Sequence, residues 1–325
     1  MNVGVLGSGL IAAVFTKQAQ AFEDIHLTAL WGRHEEKIAA FAKDYDYVTT
    51  DLEKVLSDPE IDLIYVGLPN ALHHSYGKKA LLAGKHLLLE KPFTVTVQEA
   101  EELFLIAEEK GLLCLEAATI MYNRSYQRIK EEIGGLGEIR LVDANFSQYS
   151  RRYERFKNGV IEPVFSRDMA GGALYDLNVY NIHFLVGLFG MPEDLAYYPN
   201  IVRGVDTSGI LVLDYGAFKA SLMAGKDCQA ESHVSIQGDE ACLLVKGTAS
   251  RCAAYDIITP KKERTSYVGK DDEFVGFHDE LEVLTKLFRK RDKAQEERYK
   301  TETLQVMRVL EQAMKSSGLD YRSIL

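Results

Sequence analysis

The stretch "MNVGVLGSGLIAAVFTKQAQAF", Met1 to Phe22, decides how the rest of the chain is read. An apolar run, a glycine turn and a helical pattern follow one another. The turn Gly7-Ser8-Gly9-Leu10-Ile11-Ala12 fits the pattern Gly-x-Gly-x-x-Gly/Ala. Gly7 permits a tight turn, Gly9 lets the backbone approach a pyrophosphate, and Ala12 keeps the helix close to the strand. The helix start, at Leu10 and Ile11, offers unpaired amides and a positive dipole end to the phosphates. Such a motif is weak alone. Here it follows a strand and opens a helix, so a dinucleotide site is expected.

Further apolar runs, "IHLTALWG", "IDLIYVGLP", "KHLLLE" and "LLCLEA", alternate with amphipathic stretches such as "HEEKIAAFAKDY" and "ALHHSYGKKALLAG". Strands apolar on both faces predict a parallel sheet covered on both sides. Ligands of such sheets bind outside the carboxyl ends of the strands. That rule gives meaning to "HLLLEKPF", His86 to Phe93, where Glu90, Lys91 and Pro92 interrupt a leucine strand. Lys91 falls on the ligand side, beside a proline that restricts the local backbone. Pro69 and Asn70 of "LPN" end the preceding strand and point to the same crevice. The second strand ends in Trp31-Gly32-Arg33-His34, with no acid placed to bind ribose hydroxyls. Arg33 suits a 2′-phosphate instead, so NADP(H) is expected in preference to NAD(H). Glu35 and Glu36 leave the other cofactor open.

The chain has 325 residues, which favours two domains, placed at 1–118 and 119–325. Net charge is −10, with the acids dispersed, which argues against a nucleic-acid surface. The one basic cluster, "FRKRDK" from Phe288 to Lys293, reads as a solvated helix end. Cys114, Cys228, Cys242 and Cys252 form no Cys-x-x-Cys pair, so packed thiols are expected and no metal site. No apolar run approaches the roughly 18 residues of a membrane span. A strand begins at once, leaving no room for a signal peptide, and a cytoplasmic location is expected. The Asn-x-Ser matches at Asn123 and Asn145 are then accidental.

After Ala117 the alternation stops. "EIRLVDANFSQY", "TSGILVLDYG", "FKASLMAG", "SHVSIQGD" and "ACLLVKG" are short strand-like runs suited to an antiparallel sheet with one covered face. "FHDELEVLTKLF" and "TETLQVMRVLEQAMKSSG" read as helices, the second with Thr301 or Thr303 as cap and Gly318 as stop. Between the first of these strand-like runs and the others lies "GGALYDLNVYNIHFLVGLFG". On a helix its Asp176 and Tyr180 share one face, with His183 a neighbour.

The order and spacing of "GSGLIA", "LPNALHHSYGKKALLAGKHLLLEKP" and "GGALYDLNVYNIH" resemble the glucose–fructose oxidoreductase, inositol dehydrogenase and rhizopine-catabolism (Gfo/Idh/MocA) oxidoreductase family. Tyr180 after Asp176, together with "CLEA" at Cys114 to Ala117, is most similar to the dimeric dihydrodiol dehydrogenase branch. The resemblance implies a Rossmann domain, then an α/β domain with a large, mostly antiparallel open sheet. The free face of that sheet would join copies into a homo-oligomer, a dimer or tetramer. It further implies that Lys91 reaches nicotinamide and substrate, and that Asp176 and Tyr180 stand at the reacting group. Three departures bear on the pocket. Ala170 replaces the first of three glycines, Asn178 stands where glycine is usual, and "TIMYNRS", Thr119 to Ser125, lacks the usual Trp-x-Arg-Phe-x-Pro character.

Hydride transfer to or from a carbon bearing oxygen needs a positioned acid-base group for the oxygen's proton. Tyr180 is the candidate, its pKa near the ordinary value of about 10 unless a cation lowers it. Lys91 supplies such a cation and is itself the alternative donor. Asp176 would orient Lys91 or a substrate hydroxyl, His183 is a secondary candidate, and Asn70 and His73 would line the nicotinamide side with Glu90 near by. The expected substrate is small and carbohydrate-like: a sugar, polyol, cyclitol or dihydrodiol. Two other readings stay open, a dinucleotide-dependent regulatory protein and an enzyme that uses bound nucleotide transiently.

Overall fold

The computed structural model describes residues 1–269 and 275–319. The chain divides into two compact units, one of Met1–Ala117 with Glu280–Leu304, the other of Ala118–Asp279 with the residues from Gln305 on. The stretch 119–325, expected as one domain, is therefore interrupted by a segment that packs with the first unit. Each unit has its own sheet.

In the first, β1 (Asn2–Leu6), β2 (His26–Trp31), β3 (Tyr47–Thr49), β4 (Leu63–Val66), β5 (His86–Glu90) and β6 (Cys114–Ala117) lie in the order 3-2-1-4-5-6, all parallel. β4 and β6 are buried at every residue and β1 and β5 at all but the first. That is why these strands read as continuous apolar runs. The strand order reverses between β1 and β4, so their carboxyl ends flank the crevice where such sheets bind ligands. β3 was not anticipated. It has three residues, all half-buried, too few for a pattern.

In the second unit β7 (Ile139–Ser147), β8 (Asp194–Val202), β9 (Val205–Asp214), β10 (Lys219–Gly225), β11 (His233–Gly238), β12 (Cys242–Lys246), β13 (Ala254–Ile258) and β14 (Arg264–Val268) lie in the order 14-13-12-11-7-10-9-8. Only the β7–β10 pair is parallel. Alternation is clear along β9, where Leu211 and Leu213 are buried while Ile210 is 44% exposed. β8, β13 and β14 escaped the sequence reading. β8 carries Pro199, which argues against a strand, and it sits at the sheet edge where proline is tolerated.

The helical ends differ from expectation too. The last helix begins at Lys293, not near Thr301, and runs to Ser316. Thr303 is a buried hydrogen-bond donor within it rather than a cap. Gly318, with φ 72°, stands just past the end, as a stop signal should. The basic cluster covers the end of helix Val275–Lys290 and the reversal after it. Arg291 is not merely solvated: it has φ 49°, pairs with Glu296 at 2.7 Å and donates to the Gly111 carbonyl at 2.7 Å. Among the described residues, no helix is long and apolar enough to cross a membrane.

Candidate active site

Gly7 has φ 130°, and a Cβ there would meet the Gly67 carbonyl oxygen at 2.4 Å, so the turn after β1 and the turn after β4 touch backbone to backbone. A side chain is barred at Gly7 on both counts. Gly9 is the opposite case. Among the described residues, a Cβ at Gly9 would meet nothing within 4 Å, so the space above the start of helix Leu10–Ala19 is open to them. No side chain caps that helix and no acid stands in its first turn. Leu10 is 74% exposed and Ile11 half-buried. Uncapped amides, an open approach and no competing carboxylate suit a dinucleotide's pyrophosphate.

At the end of β2, Arg33 is exposed, as are His34, Glu35 and Glu36. Glu36 lies 3.8 Å from His34. Trp31 is buried, its indole N–H donating to the Thr50 carbonyl at 3.0 Å. After β4, Pro69 and Asn70 are half-buried and begin a short helical turn.

Lys91 is half-buried at the carboxyl end of β5, and its bond to Pro92 is cis. Glu90, counted among the cofactor-binding residues, instead points inward. It is 6% exposed, accepts the Tyr65 hydroxyl at 2.7 Å and the Lys91 N–H at 3.2 Å. Burial pushes its pKa up to about 7, although Tyr65 and Lys91 pull the other way. Because the folded-state value lies above the ordinary 4.5, Glu90 adds stability that is full below pH 4.5 and is lost as pH rises through about 7. Urea midpoints measured across that window should therefore fall less steeply in Glu90→Gln than in the native chain. His73 is also displaced from its expected role. It is fully buried, with Nδ1 2.9 Å from the Pro92 carbonyl and Nε2 2.8 Å from the Leu68 carbonyl. A side chain without exposed surface cannot line a cleft; this one ties two loops together.

In the second unit a π turn, Leu174–Asn178, precedes helix Val179–Phe189. Such wider turns recur at functional sites because they re-aim side chains. Here the half-buried residues are Asp176, Leu177 and Tyr180, in a segment otherwise buried from Gly171 to Val186. Asp176 and Tyr180 thus share the accessible side, while His183 is fully buried and belongs to the core. The Tyr180 ring lies 5.9 Å from that of Phe146 on β7.

Asp176 has a partner that the sequence reading missed. Lys226, just after β10 and 2% exposed, donates to Asp176 Oδ2 at 2.7 Å and to the Val164 carbonyl at 2.7 Å, with its ammonium 4.6 Å over the Phe165 ring. Gly171 makes this possible, since any Cβ there would strike the Pro163 and Val164 backbone at 2.5 to 2.9 Å. Lys226 shares the signature that drew attention to Lys91, a lysine closing an apolar strand. That signal was available in "ASLMAGK" and went unused.

The three departures now have structural readings. Ala170 adopts the left-handed conformation, φ 50° and ψ 42°, where glycine is less strained. Asn178 is fully buried and donates to the Leu222 carbonyl on β10 at 3.1 Å while accepting from Asn181. It fastens the π turn to the sheet. Asn123 is buried, caps helix Arg124–Glu132 through the Tyr126 N–H and donates to the Arg251 carbonyl.

Comparison with known proteins matches residues 1–117 to the oxidoreductase family with an NAD-binding Rossmann fold, GFO_IDH_MocA, and residues 126–244 to the GFO/IDH/MocA C-terminal domain. The scyllo-inositol 2-dehydrogenase (NADP(+)) IolU of Bacillus subtilis is 29% identical over 324 residues, covering 99% of this chain and 98% of that one. Trans-1,2-dihydrobenzene-1,2-diol dehydrogenase of Bos taurus is 27% identical over 245 residues, 72% of this chain and 71% of its own. Of these two, the inositol enzyme is the more extensive match, so the expected nearness to the dihydrodiol branch is not carried. Among solved structures, KijD10, a 3-ketoreductase from Actinomadura kijaniata in complex with NADP and TDP-benzene, superposes with a TM-score of 0.87 at 22% identity over 97% of both chains, a likeness of fold. With both halves matched in order and the nucleotide turn in place, the chain belongs to the Gfo/Idh/MocA family of NAD(P)-binding oxidoreductases.

Proposed function

We propose that the protein is an NADP(H)-preferring dehydrogenase or reductase that interconverts a carbinol and a carbonyl on a small, carbohydrate-like molecule. Sugars, polyols, cyclitols and dihydrodiols form the substrate class. The observation that carries the reading is the set of groups at the carboxyl end of the first sheet: Gly7 and Gly9 after β1, Arg33 after β2, Pro69 and Asn70 after β4, and Lys91 after β5. A bound nicotinamide would supply or accept the hydride. The amides at Leu10 and Ile11 would hold its pyrophosphate, and Arg33 the 2′-phosphate of its ribose. Lys91 places positive charge where the substrate oxygen becomes anionic. Tyr180 delivers or removes that oxygen's proton, and Asp176, held in place by Lys226, accepts a neighbouring substrate hydroxyl. The last feature favours substrates with adjacent hydroxyl groups.

The experiment is a panel of cyclitols, sugars and polyols offered with NADP+ and with NAD+, following nicotinamide absorbance. Sustained reduction with a member of the panel supports the reading. Bound nucleotide with no net redox change across the panel, in either direction, would favour transient use of the cofactor. Arg33→Ala should weaken NADPH by at least about tenfold and NADH by less than about threefold. Equal losses would remove the basis for preferring NADP(H).

We also propose that the open face of the second sheet joins copies of the chain. Leu141, Tyr198 and Ile210 are 53%, 65% and 44% exposed there.

A further inference from the structure

Behind the turn that carries Lys91, the first unit buries ionisable side chains that the proposed chemistry does not use. Three successive backbone groups of the turn are each held by one of them. The Lys91 N–H donates to Glu90 Oε2 at 3.2 Å, the Pro92 carbonyl lies 2.9 Å from His73 Nδ1, and the Phe93 N–H donates to Glu116 Oε1 at 3.0 Å. The far ends are held as well. Tyr65 donates to Glu90 Oε1 at 2.7 Å, Thr303 donates to Glu116 Oε2 at 2.8 Å, and the Leu68 carbonyl faces His73 Nε2 at 2.8 Å. Glu280 completes the cluster from helix Val275–Lys290. It is 1% exposed, and among the described residues both its carboxyl oxygens are buried without a hydrogen-bond partner.

These contacts assign different roles to chemically similar groups. A carboxylate stripped of water and of donors is far costlier than the neutral acid, so Glu280 holds its proton. Burial pushes its pKa well up, and facing Glu90 and Glu116 pushes it further. Glu116 receives two donors, the Phe93 N–H and the Thr303 hydroxyl. His73 faces two carbonyl oxygens, which only accept, and a neutral imidazole carries one N–H. Both contacts are hydrogen bonds only when the ring carries two protons. Burial opposes that cation and so does Lys91, whereas the two carbonyls and Glu116 favour it.

We infer that His73, Glu90 and Glu116 are positioning residues for Lys91, fixing its turn through three consecutive backbone groups, while Glu280 stands behind them as a neutral carboxylic acid. The inference rests on the reading of Lys91 as a site residue, yet two of its three tests do not. In infrared spectra of the full chain without ligand at neutral pH, Glu280→Gln should remove a protonated carboxyl band distinct from the one that Glu90→Gln removes. Absence of the band from the native protein overturns the neutral acid. In hydrogen exchange, Glu116→Ala should speed the Phe93 amide by at least about tenfold relative to the amides of β1, and Glu116→Gln, which keeps an acceptor, should restore most protection. Equal acceleration at Phe93 and β1 would mean a general loss of stability and would overturn positioning.

With a substrate in hand, Glu116→Ala should lower kcat by at least about tenfold and change nucleotide affinity by less than about threefold. The Gln variant should recover part of that loss. A fall in nucleotide affinity as large as the fall in kcat contradicts the inference. If Lys91→Ala turned over normally, the assignment of Lys91 would fail, while the infrared and exchange results would still report on the cluster.

Discussion

Lys91→Ala is expected to lower turnover roughly a hundred- to thousandfold, the cost of removing one donor aimed at developing negative charge. Folding should survive. The buried cluster grips the backbone of the Lys91 turn, through the Lys91 N–H, the Pro92 carbonyl and the Phe93 N–H. Truncation at Cβ therefore leaves the turn intact. Nucleotide affinity should stay within about tenfold, because the open helix start at Gly9 and the Arg33 side chain are untouched. Steady-state rates paired with calorimetric titration separate the two effects. Normal turnover by the variant would contradict the role given to Lys91.

Lys226→Met is expected to cost about 3 kcal/mol of stability, near the lower end of what breaking a buried ion pair costs. The lysine side chain is 3% exposed, whereas that of Asp176 is 30% exposed, so the carboxylate left behind regains some water. The Val164 carbonyl also loses its donor. Methionine keeps most of the volume beside Phe165, which limits the loss to the charge and its hydrogen bonds. Urea denaturation of Lys226→Met, Asp176→Asn and the double variant measures the coupling. Additive losses would mean that the pair does not act as a unit. Turnover should also fall, since Asp176 would lose the ion pair that holds its carboxylate in place on the accessible side it shares with Tyr180.

Much of the fold was legible because the first unit repeats one physical pattern. Strands buried on both faces alternate with amphipathic helices, and the glycine turn marks where the nucleotide approaches. The same logic fails for β3, which is three residues long, and for β8, whose Pro199 is acceptable only at an edge that sequence cannot locate. At the candidate site, Lys91 stood out as a charge closing a leucine strand. The partners that give such residues their setting did not. Asp176 and Lys226 are 50 residues apart, and Glu116 and Thr303 are 187 apart. His73 looked like a pocket residue because its loop ends a strand, yet only coordinates reveal a ring closed between two carbonyls. Glu90 misled for the opposite reason. A charge next to Lys91 suggested ligand contact, and the strand's alternation turned it inward.

The account stands or falls first on the nucleotide site, and Trp31 offers a direct probe as the chain's one tryptophan, at the end of β2. Titration of the full chain with NADPH and with NADH, following tryptophan emission and backed by calorimetry, measures both affinities. Saturable quenching by NADPH at a lower concentration than by NADH is expected. An absence of quenching and of heat with either nucleotide would contradict it.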